Sequence, residues 1–480
     1  MNNNPIFPLK NKKVLLVGLG LLGGGLSTAI WLLKQGVNLT ITDLKTSKDL
    51  SPTLKKLKKY QRKIKYVLGK HRKKDFLDKD LIVINPAINT LNNPFLDLAR
   101  KKKIPIENEL TLFLKYLAYK KVFPLIIGIT GTKGKTTVSN WVYRFLSYKF
   151  NTLLALNNPR FPLLSQTKKI KNNQPIILEI SSYHLEIINN FAPSIALITN
   201  IFPDHLNRYQ DIKKYAQIKA NIFLSQNPDN FLILNKNNFF TKYFLSLKPK
   251  ARVFYFSLKP LSLKENGIFV FKDYLYFQKD NSRKKLFSIK SFVEKFGLHN
   301  LENLMASIIV SHLLGISFLD IKKLIPSLPS IKFRQEEIFS KKYVKIINDS
   351  AATTPEATIS AIKRFQKETK NLILITGGTD KDLKFNNLAQ IIKKHIKKEN
   401  LIILDDTGSQ KLIQELKKIN FDSFFLYPEL KKCILKAKSL LKENRNNLIL
   451  FSPACASFNK FKNEYHRGEI FNKIIKKVFI

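Results

Sequence analysis

The sequence predicts an α/β protein with parallel sheets and three domains, and three observations support this fold class. The chain has 480 residues, which at roughly 150 residues per domain suggests about three hydrophobic cores. Two separate strand–glycine turn–helix patterns occur near residues 13–36 and 123–148, and such patterns are typical of nucleotide-binding sheets. The hydrophobic fraction of 44% is enough for packed cores and argues against a disordered chain.

The first pattern predicts a Rossmann-like domain. A buried strand at 13–17 leads into a GxGxxG turn at 18–23 and a helix at 26–35. The next strand ends at Asp43, where a dinucleotide fold places a carboxylate against a ribose or a base. Two further strand-like segments follow, the second at residues 104–107 and the domain ending near residue 117.

The second pattern predicts a P-loop. A buried strand at 123–130 precedes a glycine-rich loop at 131–137 and a helix at 138–148. Backbone N–H groups of such a loop bind phosphates. In this arrangement Lys135 reaches the β and γ phosphates, and Thr136 supplies a hydroxyl to Mg²⁺.

Carboxylate and imidazole side chains follow two later strands of the same predicted domain. Glu179 lies near the end of a strand predicted at 176–182, and Asp204 and His205 follow a strand at 195–200. Because the carboxyl ends of parallel strands meet at one edge of a sheet, we expect these residues to lie beside the phosphate loop. Alone, the Asp204–His205 pair would more often cap a helix, but the upstream P-loop favours a metal site.

Together these motifs resemble the Mur ligases, and the resemblance extends over nearly the whole chain. Residues 128–137 resemble the ATP loop of that family, and residues 179–186 resemble its Glu-Leu-Ser-Ser strand end. Residues 199–209 are similar to its Asn-x-x-x-Asp-His segment, and residues 297–303 match Gly-x-His-Asn-x-x-Asn. The resemblance implies an ATP-dependent ligase of peptidoglycan precursor synthesis that forms an amide bond through an acyl phosphate.

The resemblance also implies a domain plan and a set of partners. A Rossmann-like domain for the UDP-linked substrate spans 1–117, a central P-loop ATP domain spans 118–330, and a C-terminal Rossmann-like domain spans 331–480. Residues 452–458 and 348–353 resemble the branch that adds D-glutamate to UDP-N-acetylmuramoyl-L-alanine. Two alternatives stay open: a sister ligase adding L-alanine to UDP-MurNAc, and a basic P-loop protein that binds nucleic acid.

Individual roles follow where this sequence matches the family's motifs. The implied catalytic residues are Lys135, His205, Lys219 and Asn158, with Lys219 carbamylated. The implied ligands of two Mg²⁺ ions are Thr136, Glu179, His205 and Lys219. The implied ATP-binding residues are Gly131, Thr132, Lys133, Gly134, Lys135, Thr136, Thr137, Asn300, Asn303, Arg334 and Asp349. The implied UDP-substrate residues are Gly18, Leu19, Gly20, Leu21, Leu22, Asp43, Lys45 and Ser181. The implied D-glutamate-binding residues are Lys381, Ser457 and Phe458.

The sequence departs from the family pattern at four places. Ala351 stands where many relatives have a lysine, and Asn89 replaces a common proline. Pro159 follows Asn158 where glycine is usual, and Glu464 occupies a frequent aromatic position. The changes at Ala351 and Glu464 bear on amino-acid specificity.

Composition bears on partners and location. The net charge of +48 is spread along the chain. We therefore interpret it mainly as a result of drift in genomic base composition and not as a surface that binds nucleic acid. Two cysteines give neither a disulfide framework nor a metal cluster. This cysteine usage fits a reducing cytoplasm, and we also expect a monomer. Residues 14–33 carry no charge over a bilayer-spanning length, but their glycines weaken a helix and disfavour a membrane span.

Overall fold

The computed structural model describes residues 6–21, 23–155 and 162–479. Three sheets form within these ranges, and the predicted α/β class with parallel sheets is confirmed. The described residues group into two compact units. The first comprises the chain up to 204 with 208–293 and 300–328 and contains two sheets, whereas the second comprises 205–207, 294–299 and the chain from 329 onward and contains the third.

Membrane insertion was the alternative for residues 14–33. Within the described ranges, no helix combines the length and the low polarity that crossing a bilayer requires.

The first sheet has five parallel strands in the order β3-β2-β1-β4-β5. Its strands are β1 (Lys13–Val17), β2 (Asn38–Asp43), β3 (Ile64–Leu68), β4 (Leu81–Ile84) and β5 (Ile106–Glu107). Its helices are α1 (Gly24–Lys34), α2 (Ser51–Leu57), α3 (Pro94–Lys101) and α4 (Glu109–Tyr119). The strands are rich in Val, Ile and Leu because helices cover both faces of a parallel sheet. The strand predicted at 104–107 is shorter than expected, since Pro105 has no N–H for the sheet.

The second sheet has nine strands in the order β14-β13-β12-β11-β10-β9-β6-β8-β7. Its strands are β6 (Leu125–Thr130), β7 (Leu153–Ala155), β8 (Pro175–Glu179), β9 (Ile195–Ile198), β10 (Phe231–Asn235), β11 (Arg252–Ser257), β12 (Asn266–Phe271), β13 (Tyr274–Lys279) and β14 (Ser282–Ser288). Strands β6 to β12 pair in parallel, and β13 and β14 extend the edge as antiparallel hairpins. The helices that follow these strands begin with α5 (Lys135–Leu146) and α6 (Leu163–Gln166).

The remaining helices of this part of the chain are short, apart from one. They are α7 (Ser182–Leu185), α8 (Leu206–Tyr209), α9 (Ile212–Ala220), α10 (Thr241–Ser246), α11 (Lys290–Phe296), α12 (Leu301–Leu313) and α13 (Phe318–Leu324). The long helix α12 packs against α5, which follows the phosphate loop. The strand predicted at 176–182 ends at Glu179, because Ser182 already begins α7.

The third sheet has six strands in the order β15-β16-β20-β17-β18-β19. Its strands are β15 (Glu336–Lys341), β16 (Val344–Asn348), β17 (Asn371–Thr376), β18 (Leu401–Leu404), β19 (Phe425–Tyr427) and β20 (Asn447–Phe451). Its helices are α14 (Pro355–Phe365), α15 (Asn386–His395), α16 (Thr407–Lys418), α17 (Leu430–Ser439) and α18 (Glu464–Phe479). Only the edge pair β15–β16 is antiparallel among the described strands of this sheet. The sheet is therefore Rossmann-like, as expected.

A buried carboxyl group begins α4. Asn108 caps this helix by accepting from Thr111 N–H, and the Thr111 hydroxyl accepts from Asn108 N–H in return. Glu109 is buried directly after the cap and accepts from Leu164 N–H at 3.3 Å. Burial raises the pKa of Glu109 from 4.5 to about 7.

We expect Glu109→Gln to stabilise the protein at pH 8 and to have little effect near pH 4.5. Above pH 7 the wild type holds a buried carboxylate, whose cost is about 3 kcal/mol from the difference in pKa between the folded and unfolded states. As the pH falls from 7 to 4.5 the folded state binds the proton first, so this cost disappears. Urea unfolding at both pH values measures the difference, with the exposed Glu399→Gln as control. Equal stability of Glu109→Gln and wild type at pH 8 would contradict the raised pKa of Glu109.

Candidate active site

The predicted phosphate loop connects β6 to α5, and its glycines are required by close approach. Gly131 has φ 139° and Gly134 has φ 86°, backbone conformations that L side chains rarely adopt. A Cβ at Gly131 would lie 2.0 Å from Thr199 Oγ1, and a Cβ at Gly134 would lie 2.3 Å from Asn303 Oδ1. The loop is therefore closely packed, and its N–H groups and the start of α5 form a phosphate-binding geometry.

The P-loop lysine is folded over its own loop. Lys135 Nζ donates to Gly131 O at 2.9 Å and to Thr132 O at 3.1 Å. A cation held at this point lies where the phosphates of a bound nucleotide would need charge compensation. The helix begins at Lys135, three residues earlier than predicted, so Lys135 and Thr136 belong to its first turn.

A hydroxyl and a carboxylate meet beside the loop. Thr136 Oγ1 donates to Glu179 Oε1 at 2.9 Å, and Glu179 is buried at the end of β8. Among the described residues, the structure has no cluster of three or more His, Cys, Asp or Glu side chains suited to a metal. One carboxylate with one hydroxyl nevertheless fits Mg²⁺, since this ion commonly takes one or two protein oxygens together with substrate phosphates and waters.

Two residues at the end of β9 hold the loop in place, and the sequence motifs gave them no role. Asn200 Oδ1 accepts from Lys133 N–H at 2.9 Å, and Asn200 O accepts from Thr132 N–H at 2.9 Å. Thr199 Oγ1 donates to Lys133 O at 2.5 Å. Both residues begin the 199–209 segment that resembles the family's motif, and they directly follow a parallel strand next to β6.

Lys219 is buried on α9, which no sequence pattern revealed. Its Nζ donates to Thr130 Oγ1 at 3.1 Å and lies 4.8 Å from the ring centre of Tyr215. Burial lowers the pKa of Lys219 well below its usual 10.5, and the charge of Lys135 acts in the same direction, with Asp204 opposing both. The lowered pKa favours the neutral form of the amine, which is the form that can act as a nucleophile.

Other predicted residues of the central domain occupy distinct places. Asp204 is buried, and His205 has φ 56°, a strained conformation for a non-glycine residue that is common at functional sites. Asn303 Nδ2 donates to Asn300 Oδ1 at 2.9 Å, which places both predicted ATP-binding asparagines together near the loop. Asn158, the fourth predicted catalytic residue, lies outside the described residues.

The N-terminal glycine turn is organised by Asp43. One carboxylate oxygen of Asp43 accepts from Leu19 N–H at 2.9 Å and Gly20 N–H at 3.0 Å, and the other accepts from Lys45 N–H at 2.9 Å. The acid therefore fixes the turn itself, and its predicted contact with a ribose or base stays a prediction. Leu21 is exposed on this turn, whereas Leu22 lies outside the described residues.

Ser181 pairs with a neutral histidine. Ser181 Oγ and His184 Nδ1 are 2.8 Å apart. Burial lowers the pKa of His184 to about 4, so its imidazole is neutral at physiological pH. Ser181 lies two residues after Glu179, so the predicted substrate contact and the predicted metal ligand share one strand end.

In the second unit, Asp349 is a buried acid at the end of β16. It accepts from Ser452 Oγ at 2.8 Å and from Gln335 N–H at 3.0 Å. Burial raises the pKa of Asp349 to about 7, and the nearby charges of Arg334 and Arg364 oppose this increase. Predicted ATP-binding residues Arg334 and Asp349 are therefore electrostatic neighbours.

The predicted D-glutamate residues lie on two segments joined by an isolated β-bridge between Thr379 and Ala456. Within the described part of the chain, the buried Ser457 hydroxyl has no hydrogen-bond partner, and an unsatisfied buried hydroxyl is suited to a ligand. Phe458 is 68% exposed, so its side chain is not part of the hydrophobic core. Lys381 follows the bridged residue Thr379 by two positions.

A buried arginine supports these segments. The Arg467 guanidinium donates to Cys455 O, Ala456 O and both oxygens of Ser350 at 2.8–3.1 Å. The sequence analysis assigned no role to Arg467. At the positions that depart from the family pattern, Ala351 N–H donates to Phe333 O, and Glu464 O accepts from Ser350 Oγ.

Family comparison gives matches along the chain. Residues 129–311 match the family described as the Mur ligase middle domain. Residues 12–108 match the Mur ligase MurD-like, N-terminal domain. A UDP-N-acetylmuramoylalanine–D-glutamate ligase of Borreliella afzelii is 32% identical over 468 residues, covering 97% of this chain and 98% of that protein. The ligase of the same name from Clostridioides difficile is 32% identical over 464 residues, covering 96% and 98%.

Solved structures share the fold at lower identity. The UDP-N-acetylmuramate–alanine ligase of Thermotoga maritima superposes with a TM-score of 0.59 at 18% identity, covering 97% of this chain and 100% of that chain. The MurF ligase of Thermotoga maritima in complex with ADP gives a TM-score of 0.57 at 15% identity, covering 98% and 96%.

Proposed function

Since the chain belongs to the Mur ligase family, we propose that it is an ATP-dependent ligase joining D-glutamate to UDP-N-acetylmuramoyl-L-alanine in peptidoglycan precursor synthesis. The observation that carries this proposal is full-length similarity above 30% to relatives named as ligases of this kind. The P-loop with the adjoining Thr136–Glu179 pair supports the use of ATP. The expected alternatives, alanine addition and nucleic-acid binding, have no comparable support.

Most groups at the ATP end of the reaction belong to the central domain. The loop N–H groups and Lys135 bind the phosphates and offset the repulsion between ATP and an anionic carboxylate substrate. Thr136 and Glu179 would hold Mg²⁺, with His205 as a further ligand. When bound, that ion supplies additional positive charge at the phosphates. Asn300, Asn303, Arg334 and Asp349 are proposed contacts of the nucleotide.

Amide formation then follows in two steps, phosphoryl transfer to the substrate carboxylate and attack of the amine on the acyl phosphate. A carboxylate oxygen of the muramoyl-alanine attacks the γ-phosphorus, the bond to the β,γ-bridging oxygen breaks, and ADP leaves. The amine of D-glutamate attacks the acyl carbon of the resulting acyl phosphate, phosphate leaves, and the nitrogen loses a proton. Activation is needed because a free carboxylate is a poor electrophile.

Lys219 is proposed to carry a carbamate. Its neutral amine attacks CO₂ and loses a proton, which converts a buried neutral amine into a carboxylate-like anion. Such a group would be the third oxygen donor near the loop, and the low pKa of Lys219 supports it because only a neutral amine reacts.

The remaining substrate contacts are proposals based on family resemblance. The UDP-linked substrate would contact the glycine turn through Gly18, Leu19, Gly20, Leu21 and Leu22, with Asp43, Lys45 and Ser181 nearby. Asn158 and His205 would hold its carboxylate. Lys381, Ser457 and Phe458 would bind D-glutamate, and the unpaired Ser457 hydroxyl supports this role.

We also propose the domain boundaries 1–117, 118–330 and 331–480 and a monomeric, cytoplasmic enzyme. Both cysteines, Cys433 and Cys455, are free thiols, which suits a reducing compartment.

Phosphate release tests the proposed function. With ATP, Mg²⁺, bicarbonate and UDP-N-acetylmuramoyl-L-alanine, we expect release that depends on D-glutamate and a product whose mass equals the amide. UDP-MurNAc with L-alanine serves as the matched control and should give no release. D-Glutamate-independent release, or turnover only with L-alanine, would refute this function.

A further inference from the structure

A buried ion pair lies outside the groups that the reaction uses. Arg208 Nη2 contacts Glu186 Oε2 at 2.6 Å, with side-chain exposures of 9% and 0%. Tyr209 Oη donates to Glu186 Oε1 at 2.7 Å. Hydrophobic replacements of a buried ion pair are often as stable, so stability alone does not account for this pair.

The pair holds a loop of the first sheet's domain. Arg208 donates to Ala87 O at 3.1 Å and Ile88 O at 2.6 Å, and Thr90 Oγ1 donates to Glu186 Oε2 at 2.5 Å. Residues 87–90, the substrate loop hereafter, follow β4. This loop packs on the glycine turn, because a Cβ at Gly18 would lie 3.2 Å from Ile88 Cδ1.

On its other side the pair adjoins a row of tyrosines leading to the phosphate loop. The Arg208 guanidinium carbon lies 4.2 Å from the Tyr183 ring centre. Ring centres are 6.4 Å apart between Tyr183 and Tyr209 and 5.4 Å apart between Tyr209 and Tyr215. Tyr215 Oη lies 3.4 Å from Thr132 Oγ1 in the phosphate loop. The buried pair thus stands between the two regions.

We propose that Arg208 is a positioning residue that fixes the substrate loop, and with it the glycine turn, relative to the phosphate loop. This inference rests on the proposed function, in which the glycine turn binds the UDP-linked substrate. A guanidinium can serve two carbonyls and a carboxylate at once, whereas a lysine has a single nitrogen. Loss of the guanidinium, with its several N–H donors, should misplace the substrate carboxylate. It should leave the phosphate loop's own contacts unchanged.

The test compares Arg208→Lys with wild type in steady-state kinetics and in calorimetric binding of UDP-N-acetylmuramoyl-L-alanine and of a non-hydrolysable ATP analogue. We expect the Kd and KM of the UDP-linked substrate to rise about tenfold and kcat to fall by about 10-fold to 100-fold. Affinity for the ATP analogue should stay within about twofold. Thr90→Val, which removes only one hydroxyl contact, should change the same parameters in the same direction by less.

Arg252→Lys is the matched control, because Arg252 also binds a carbonyl, Pro228 O, and stacks on an aromatic ring, Phe231. It should leave every parameter unchanged. Equal losses for both ligands, or a lowered Tm with unaltered kinetics, would overturn the positioning role. If Arg208→Lys does not fold, Thr90→Val decides by the same criterion. If wild type binds the UDP-linked substrate but shows no D-glutamate-dependent turnover, the proposed function is refuted. The comparison of substrate binding between wild type and Arg208→Lys still tests the positioning role in that case.

Discussion

Lys135→Ala is expected to lower turnover by at least about 10³-fold, because it removes the cation that offsets phosphate charge as the γ-phosphoryl group is transferred. Its Nζ donates to two carbonyls of its own loop, Gly131 O and Thr132 O, so the sheet and core should be unaffected. D-Glutamate-dependent phosphate release measures the loss, and circular dichroism with thermal unfolding measures the fold.

Lys149→Ala provides the control for this substitution. Lys149 follows α5 and its Nζ also donates to a carbonyl, Gly315 O, at 3.5 Å, but it is exposed. We expect normal turnover from this variant. If Lys135→Ala kept full activity with an intact fold, the assignment of a phosphate loop to residues 131–137 would fail.

Local sequence patterns were sufficient for the strands, turns and helices that define the α/β class. Strands β1 and β2 occupy the predicted residues, and the phosphate loop connects a strand to a helix as expected. These elements were predictable because buried parallel strands form short apolar runs and because glycine is needed where the backbone turns sharply. The antiparallel strands β13 and β14 were not predicted, since nothing in a local pattern says which sheet edge a hairpin joins.

Site residues could be predicted from the sequence only where a side chain of suitable chemistry stands at or after the end of a predicted strand. Thr136 and Glu179 meet that condition and form a hydrogen bond. Asp43 was found, yet its bonds to turn N–H groups depend on how the turn folds back over β2. Arg208 and Arg467 were not given roles, because their partners are mostly backbone carbonyls far away in the chain.

Lys219 shows the limit of sequence reasoning most clearly. It is one of many lysines, and only the family resemblance indicated it. In the structure its side chain is buried beside Thr130 and Tyr215, whereas Lys213 on the same helix is exposed. This burial depends on the tertiary contacts of α9, which no local pattern of charge reveals.

Lys219→Met is expected to lower turnover by about 10²-fold or more while keeping or improving stability. The substitution removes the nitrogen that would form the carbamate but retains an unbranched side chain of similar volume. Because the pKa of Lys219 is lowered in the folded state, the unfolded chain binds more protons between that pKa and 10.5. Wild-type stability should therefore rise with pH through this window, and the variant should lack that contribution.

Carbon-13-labelled bicarbonate separates the carbamate from a purely structural lysine. Wild type should show a carbamate resonance and a turnover that falls when CO₂ is removed, whereas Lys219→Met should show neither. Lys213→Met, on the exposed face of the same helix, should behave as wild type in both measurements. Turnover of wild type that does not depend on CO₂, with no carbamate resonance, would refute carbamylation. The Thr130 hydrogen bond would then be the main role of the buried amine.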